Sequence, residues 1–305
     1  MGGGRYDPKD WTAYTTRTAS KPRDAIFTKS RIDADLDPKT IKGGIRESRD
    51  SDANPNSTPL AIFFDVTGSM GSMPERLVKH GLGVLFENIY KFKPISDPHI
   101  LIGAIGDMAY DSAPLQVSQY EAEIGPLTSQ TEKIFLEGHG GGNGSESYNG
   151  PWYWAARHTV HDAWEKRSKK GYLITIGDEN PPEAMQKEWL KRFIGDDVEA
   201  EISAEEALEM ARKTYHCFHV RVMQGGGYYH AYDEEWKNLM GEKYLIMLDD
   251  IEKLAEVVAA AIRVHEGESV DTVVKSFSGS TALTVQNAVK HLTTKKGGKG
   301  GVMRV

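Results

Sequence analysis

Six consecutive residues, Asp65-Val66-Thr67-Gly68-Ser69-Met70, set one carboxylate and two hydroxyls at alternate positions. In a tight turn alternate side chains can point the same way, so these oxygens can converge on one point. Hard oxygen donors with a single negative charge suit a divalent cation that keeps coordination positions for other ligands. Asp178, in the run Gly177-Asp178-Glu179, supplies a second carboxylate. Gly142, Tyr148 and Trp152 are candidates for the face that meets a partner, although aromatic residues at this spacing also suit a core. His216, Cys217 and His219 resemble a metal cluster on paper. In a strand, however, Cys217 and His219 share one face while His216 takes the other, and a buried Cys in such a run packs.

Bringing such oxygens together requires strands that end side by side. Residues 60–64 are an apolar run ending at Asp65, residues 99–105 a second ending at Gly106-Asp107, and residues 171–176 a third ending at Gly177-Asp178. Residues 215–223 and 244–248 read as two more strands. Helical patterns lie between them. Pro74 suits a first helical position, with Val78, Leu82, Leu85 and Ile89 on one face. Residues 151–167 read as one helix, Ser203-Ala204-Glu205-Glu206 as a capping box opening a helix to about Lys213, and residues 250–264 as a closing helix. This alternation predicts an α/β fold, a doubly wound and largely parallel sheet flanked by helices. Ligands of such sheets sit beyond the carboxyl ends of the strands, where Asp65, Asp107 and Asp178 all fall. Residues 1–58, punctuated by Asp7-Pro8, Lys21-Pro22, Asp37-Pro38 and Asn54-Pro55, read as an extended arm. Residues 59–266 form the domain, and residues 267–305 a helix with Leu283, Val285, Ala288 and Val289 at helical spacing, then a basic Gly/Lys tail.

With 305 residues, 39% hydrophobic and 27% charged, the chain is too apolar to be disordered. Its net charge of −7 is uneven. Lys and Arg number 11 against 9 Asp and Glu over residues 1–58, 20 against 35 over 59–271, and 6 against none over 272–305. A middle this acidic repels phosphates, so nucleic-acid binding is not expected. No apolar run approaches the roughly 18 to 20 residues of a membrane span, the start lacks an apolar signal region, and Cys217 is the single cysteine. The expectation is a cytoplasmic protein without membrane contact or intramolecular disulfide.

The constellation of Asp65, Thr67, Ser69 and Asp178 resembles the metal-ion-dependent adhesion site of von Willebrand factor A domains, whose Asp-x-Ser/Thr-x-Ser motif follows the first strand. The resemblance covers about residues 58–266. Stretches such as Arg46-Glu47-Ser48-Arg49-Asp50 and Pro114-Leu115-Gln116-Val117-Ser118 are similar to those of uncharacterised bacterial and phage A-domain proteins. It implies Mg²⁺, with Mn²⁺ or Ca²⁺ as alternatives, one open coordination position, and a protein partner whose Asp or Glu fills that position. A MoxR-type AAA+ ATPase or a multiprotein assembly is the partner class implied. The family's Thr ligand has no counterpart between Gly141 and Glu146, which leaves Asn143, Ser145 and Glu146 open as its replacement.

The competing reading is a phosphatase or phosphotransferase similar to the haloacid dehalogenases, with Asp65 as nucleophile and Gly106-Asp107-Met108-Ala109-Tyr110-Asp111 as the Mg²⁺ acids. Against it, Thr67 stands where the phosphatases carry an acid-base Asp, and Val66 where the ATPase branch carries Lys. The first reading, an interaction module and not an enzyme, is therefore preferred.

Overall fold

The computed structural model describes residues 4, 6–138, 144–223 and 230–292. Among them the strands are β1 (Arg46–Ser48), β2 (Thr58–Asp65), β3 (Pro98–Ile105), β4 (Leu115–Val117), β5 (Thr159–His161), β6 (Gly171–Gly177), β7 (Tyr215–Val222) and β8 (Leu245–Leu248). The helices are α1 (Pro8–Thr18), α2 (Arg23–Ile26), α3 (Met73–Arg76), α4 (Leu82–Phe92), α5 (Ile124–Thr131), α6 (Asn149–His158), α7 (Asp162–Arg167), α8 (Lys187–Trp189), α9 (Ala204–Ala211), α10 (Asp233–Met240), α11 (Leu254–His265), α12 (Val270–Lys275) and α13 (Gly279–Val289). The main sheet has the order β4-β3-β2-β6-β7-β8, with β4 antiparallel and every other pair parallel.

Both faces of this sheet are covered, which is why its strands are continuous apolar runs. Leu60, Ile62 and Phe64 of β2 point into a core shared with the helix after the motif, α11 and α13. Ala61 and Phe63 point into a second core built with α6, α9 and α10. The period of two along β2 thus sorts neighbouring residues to opposite layers. This is the doubly wound α/β architecture. Its register sets Asp65 beside Ile105 and Phe64 beside Ile176, so Asp65, Asp107 and Asp178 leave the sheet at one end.

From Met73 to Phe92 the backbone stays helical, but it widens to i→i+5 bonding at Leu77–Gly81, where the Leu82 N–H reaches the Leu77 carbonyl. Ser203 and Glu206 form the capping box that opens α9. At the far edge α13 packs on β8 and α11, and His291 brings Nε2 to the Leu245 carbonyl at 2.8 Å.

Two expectations need correction. Residues 1–58 are not simply an extended arm: Asp7 caps α1, Pro8 takes its first turn, and Trp11 and Tyr14 are buried in the core. The Asp-Pro pair that reads as a turn is here a helix start. Trp11 fits because Gly83 has no side chain; a Cβ there would lie 1.6 Å from the indole Nε1. The single helix expected over 151–167 is interrupted by β5, whose Thr159 and Val160 pair in parallel with Arg46 and Glu47. β-branched residues accept this extended backbone readily.

Candidate metal centre

β2 ends on Asp65, whose side chain is fully buried. One 3-10 turn, Gly68–Met70, then folds the chain back on it. Thr67 donates to Asp65 Oδ1 through both its N–H (2.8 Å) and its Oγ1 (2.6 Å), the short Asx turn that an Asp favours at such a bend. Thr67 Oγ1 lies 3.3 Å from Ser69 Oγ, and Ser69 Oγ donates to Asp178 Oδ1 at 2.8 Å. Two carboxylates from neighbouring strands are therefore linked by two hydroxyls in one continuous run of oxygens.

Behind this run stands a buried frame. Tyr148 Oη donates to Asp65 Oδ2 at 2.9 Å and accepts the Glu179 N–H at 3.2 Å. The Glu179 carbonyl accepts from Arg221 Nη1 (2.6 Å) and Trp236 Nε1 (3.1 Å). Arg221, fully buried on β7, also reaches the Asp178 carbonyl at 3.3 Å and pairs with Asp233 at 3.0 Å. His219 stacks on Trp236 with ring centroids 3.8 Å apart, and Tyr148 meets both rings edge-on. The loop carrying Asp178 is thus held by its main chain, which leaves the carboxylate to face Ser69.

The electrostatics follow from burial. Desolvation raises the Asp65 carboxyl above the ordinary Asp range, and the charge of Asp178 adds to this, against hydrogen bonds from Thr67 and Tyr148 that favour the anion. Glu146, 5% exposed, has no hydrogen-bond partner on its buried Oε2 among the described residues; burial and then the charges of Asp65, Asp111 and Asp107 push it far above the carboxylate range. Burial and Asp178 push Glu179 up to about 7, opposed by Arg221. A divalent cation would reverse these shifts by supplying the missing positive charge. Among the described residues no three His, Cys, Asp or Glu side chains group closely enough to hold a metal by themselves. A centre here would therefore rely on the hydroxyls of Thr67 and Ser69 and on water, a donor set that suits Mg²⁺.

Ser145 donates to the Pro181 carbonyl at 3.3 Å, and its neighbour Ser147 accepts the Met108 N–H at 2.9 Å, tying the two loops together. Gly142 and Asn143 lie outside the described residues. Tyr148 and Trp152 are fully buried, so neither presents a surface to a partner: the apolar positions of α6 pack into the second core. The exposed aromatic on the neighbouring loop is Tyr110. Cys217 packs in that same core and His219 donates to or accepts from Thr175 at 2.9 Å, so the two belong to the packing of β7. Arg221 and Trp236 were missed by sequence reasoning; an Arg inside the apolar run of β7 is the signal that could have found the first.

No protein-family model matches the chain, and no curated protein matches it in sequence. Among solved structures it is similar to the pilus adhesin SpaC from Lactobacillus rhamnosus GG in its open conformation, at 10% identity and a TM-score of 0.44. That match covers 72% of this chain and 31% of the adhesin. A von Willebrand factor type A structure from Catenulispora acidiphila matches at 12% identity and a TM-score of 0.36, over 70% of this chain and 44% of that one. The chain spans less than half the length of either. No helix among the described residues is long and apolar enough to cross a membrane.

Proposed function

We propose that the chain is an interaction module of the von Willebrand factor A type, in which Asp65, Thr67, Ser69 and Asp178 hold one Mg²⁺ whose open position takes an Asp or Glu of a protein partner. The observation that carries this reading is the continuous run of oxygens from Asp65 Oδ1 through Thr67 and Ser69 to Asp178 Oδ1. When bound, the ion supplies the positive charge that attracts the partner's carboxylate, and octahedral preference limits its approach. Tyr148 orients Asp65, and Arg221 with Trp236 holds the Asp178 loop in reach. The same geometry disfavours the phosphotransfer alternative: Asp65 is fully buried, and both its oxygens already accept hydrogen bonds, which leaves a poor nucleophile.

Calorimetry tests the assignment. One divalent site is expected in the parent and none in Asp65→Ala, with far-ultraviolet circular dichroism showing that the variant is folded. A variant that titrates like the parent sinks the assignment. Phosphate release from p-nitrophenyl phosphate that disappears in Asp65→Asn would instead put the enzyme reading first.

A further inference from the structure

Next to Ser69 a cavity of about 220 Å³ opens between the start of the helix at Met73 and the segment that follows β8. Met70, Met73, Val222 and Ile251 form its apolar wall, and Ser69, Ser72 and Arg76 its polar rim. Met70, Met73 and Val222 are themselves buried parts of the core, so the recess is shaped by packed side chains. Its volume exceeds the roughly 150 Å³ of an apolar cavity that accepts a benzene ring, enough for one Leu, Ile or Met side chain. Arg76 is ion-paired with Glu252, and both side chains are about half exposed. Such a pair contributes little in water, so the guanidinium can turn toward a carbonyl or carboxylate of an incoming chain.

We infer that this cavity is the apolar subsite of the proposed peptide-binding centre, and that the partner segment is an extended stretch carrying Asp or Glu with an aliphatic residue two positions away. The inference rests on the reading given above. Ser69 is the shared element: its hydroxyl bonds Asp178 in the centre and its side chain lines the cavity. In an extended peptide, residues i and i+2 point to one face about 7 Å apart, so one side chain meets the ion while the other fills the recess. Arg76 is the cation at this recess, and an acidic segment can recruit it from its exposed pair with Glu252.

The test uses four probes at saturating Mg²⁺: Ac-Asp-Gly-Leu-NH₂, Ac-Leu-Gly-Asp-NH₂, Ac-Asp-Gly-Gly-NH₂ and Ac-Asn-Gly-Leu-NH₂. Binding is read from the methyl resonances of Met70 and Met73 in the full chain. One of the two Asp/Leu probes is expected to bind about tenfold tighter than Ac-Asp-Gly-Gly-NH₂ and to move both methyls. Ile251→Trp, which fills the recess from its less buried wall, is expected to reduce that advantage to below about twofold while Mg²⁺ binding by calorimetry is unchanged. Equal affinity for the Leu and Gly probes, or no binding by any probe, overturns the subsite. An Asn probe that binds as well as the Asp one, with the Leu preference intact, supports the cavity and overturns the acidic-residue reading of the centre.

Discussion

The hydroxyl of Tyr148 touches both halves of the candidate centre, donating to Asp65 and accepting from the Glu179 N–H. Gly177 makes room for it, since a Cβ there would lie 2.1 Å from the Tyr148 oxygen. Tyr148→Phe keeps the ring edge-on to His219 and Trp236 but removes both bonds. Its expected effect is a loss of about tenfold in Mg²⁺ affinity by calorimetry, with only a small fall in Tm. Glu146 gives a contrasting expectation. Burial and the acids around it push its carboxyl toward the neutral form in the metal-free chain, and Glu146→Gln keeps the shape of that form. Folding should be unaffected and Mg²⁺ affinity should change by less than about threefold, whereas Asp178→Asn should cost about tenfold or more. A loss for Glu146→Gln as large as for Asp178→Asn would place Glu146 on the ion.

At the scale of elements, the sheet was legible through β2, β3, β6, β7 and β8, apolar-rich runs of which all but β7 lead into Asp or Gly-Asp, while the short antiparallel β4 was missed. Nothing local marks β1 or β5, because they exist only through pairing between residues more than 100 positions apart. α1 was missed for a related reason: its core contacts are few, chiefly Trp11 and Tyr14, amid Thr, Lys and Asp. The frame of Tyr148, Arg221 and Trp236 was equally hidden, since its bonds join three distant segments. The same long-range packing creates a pH response. His99 on β3 is fully buried, bonded to Ser48 of β1 at 3.1 Å, and burial pushes its pKa down to about 4; His161 on β5 behaves alike. An unfolded His titrates near 6.5, so the unfolded chain takes up these protons first. Their contribution is complete above about pH 6.5 and is lost as pH falls toward about 4, by about 1–3 kcal/mol for each His. Urea melts of the parent should lose stability over this window, and His99→Gln should flatten the loss.

The whole molecule is closed by its C-terminal helices. Val273, Val285, Ala288, Val289 and Leu292 belong to the same core as β2, so the boundary at residue 266 marks a change in pattern while the hydrophobic core runs through it. A chain ending at Glu266 is expected to melt about 10 °C or more below the parent. An unchanged Tm would show that α12 and α13 are ornamental. Their loss has a second effect, which follows from the position of β8. It is the last strand of the sheet, and beyond it His291 occupies the Leu245 carbonyl while α13 lies alongside. A strand stripped of such cover presents an open row of amide donors and acceptors to any passing copy of itself. The shortened chain should therefore polymerise edge to edge, scattering light at concentrations where the parent stays clear, because the helix that completes the core is also the guard against aggregation.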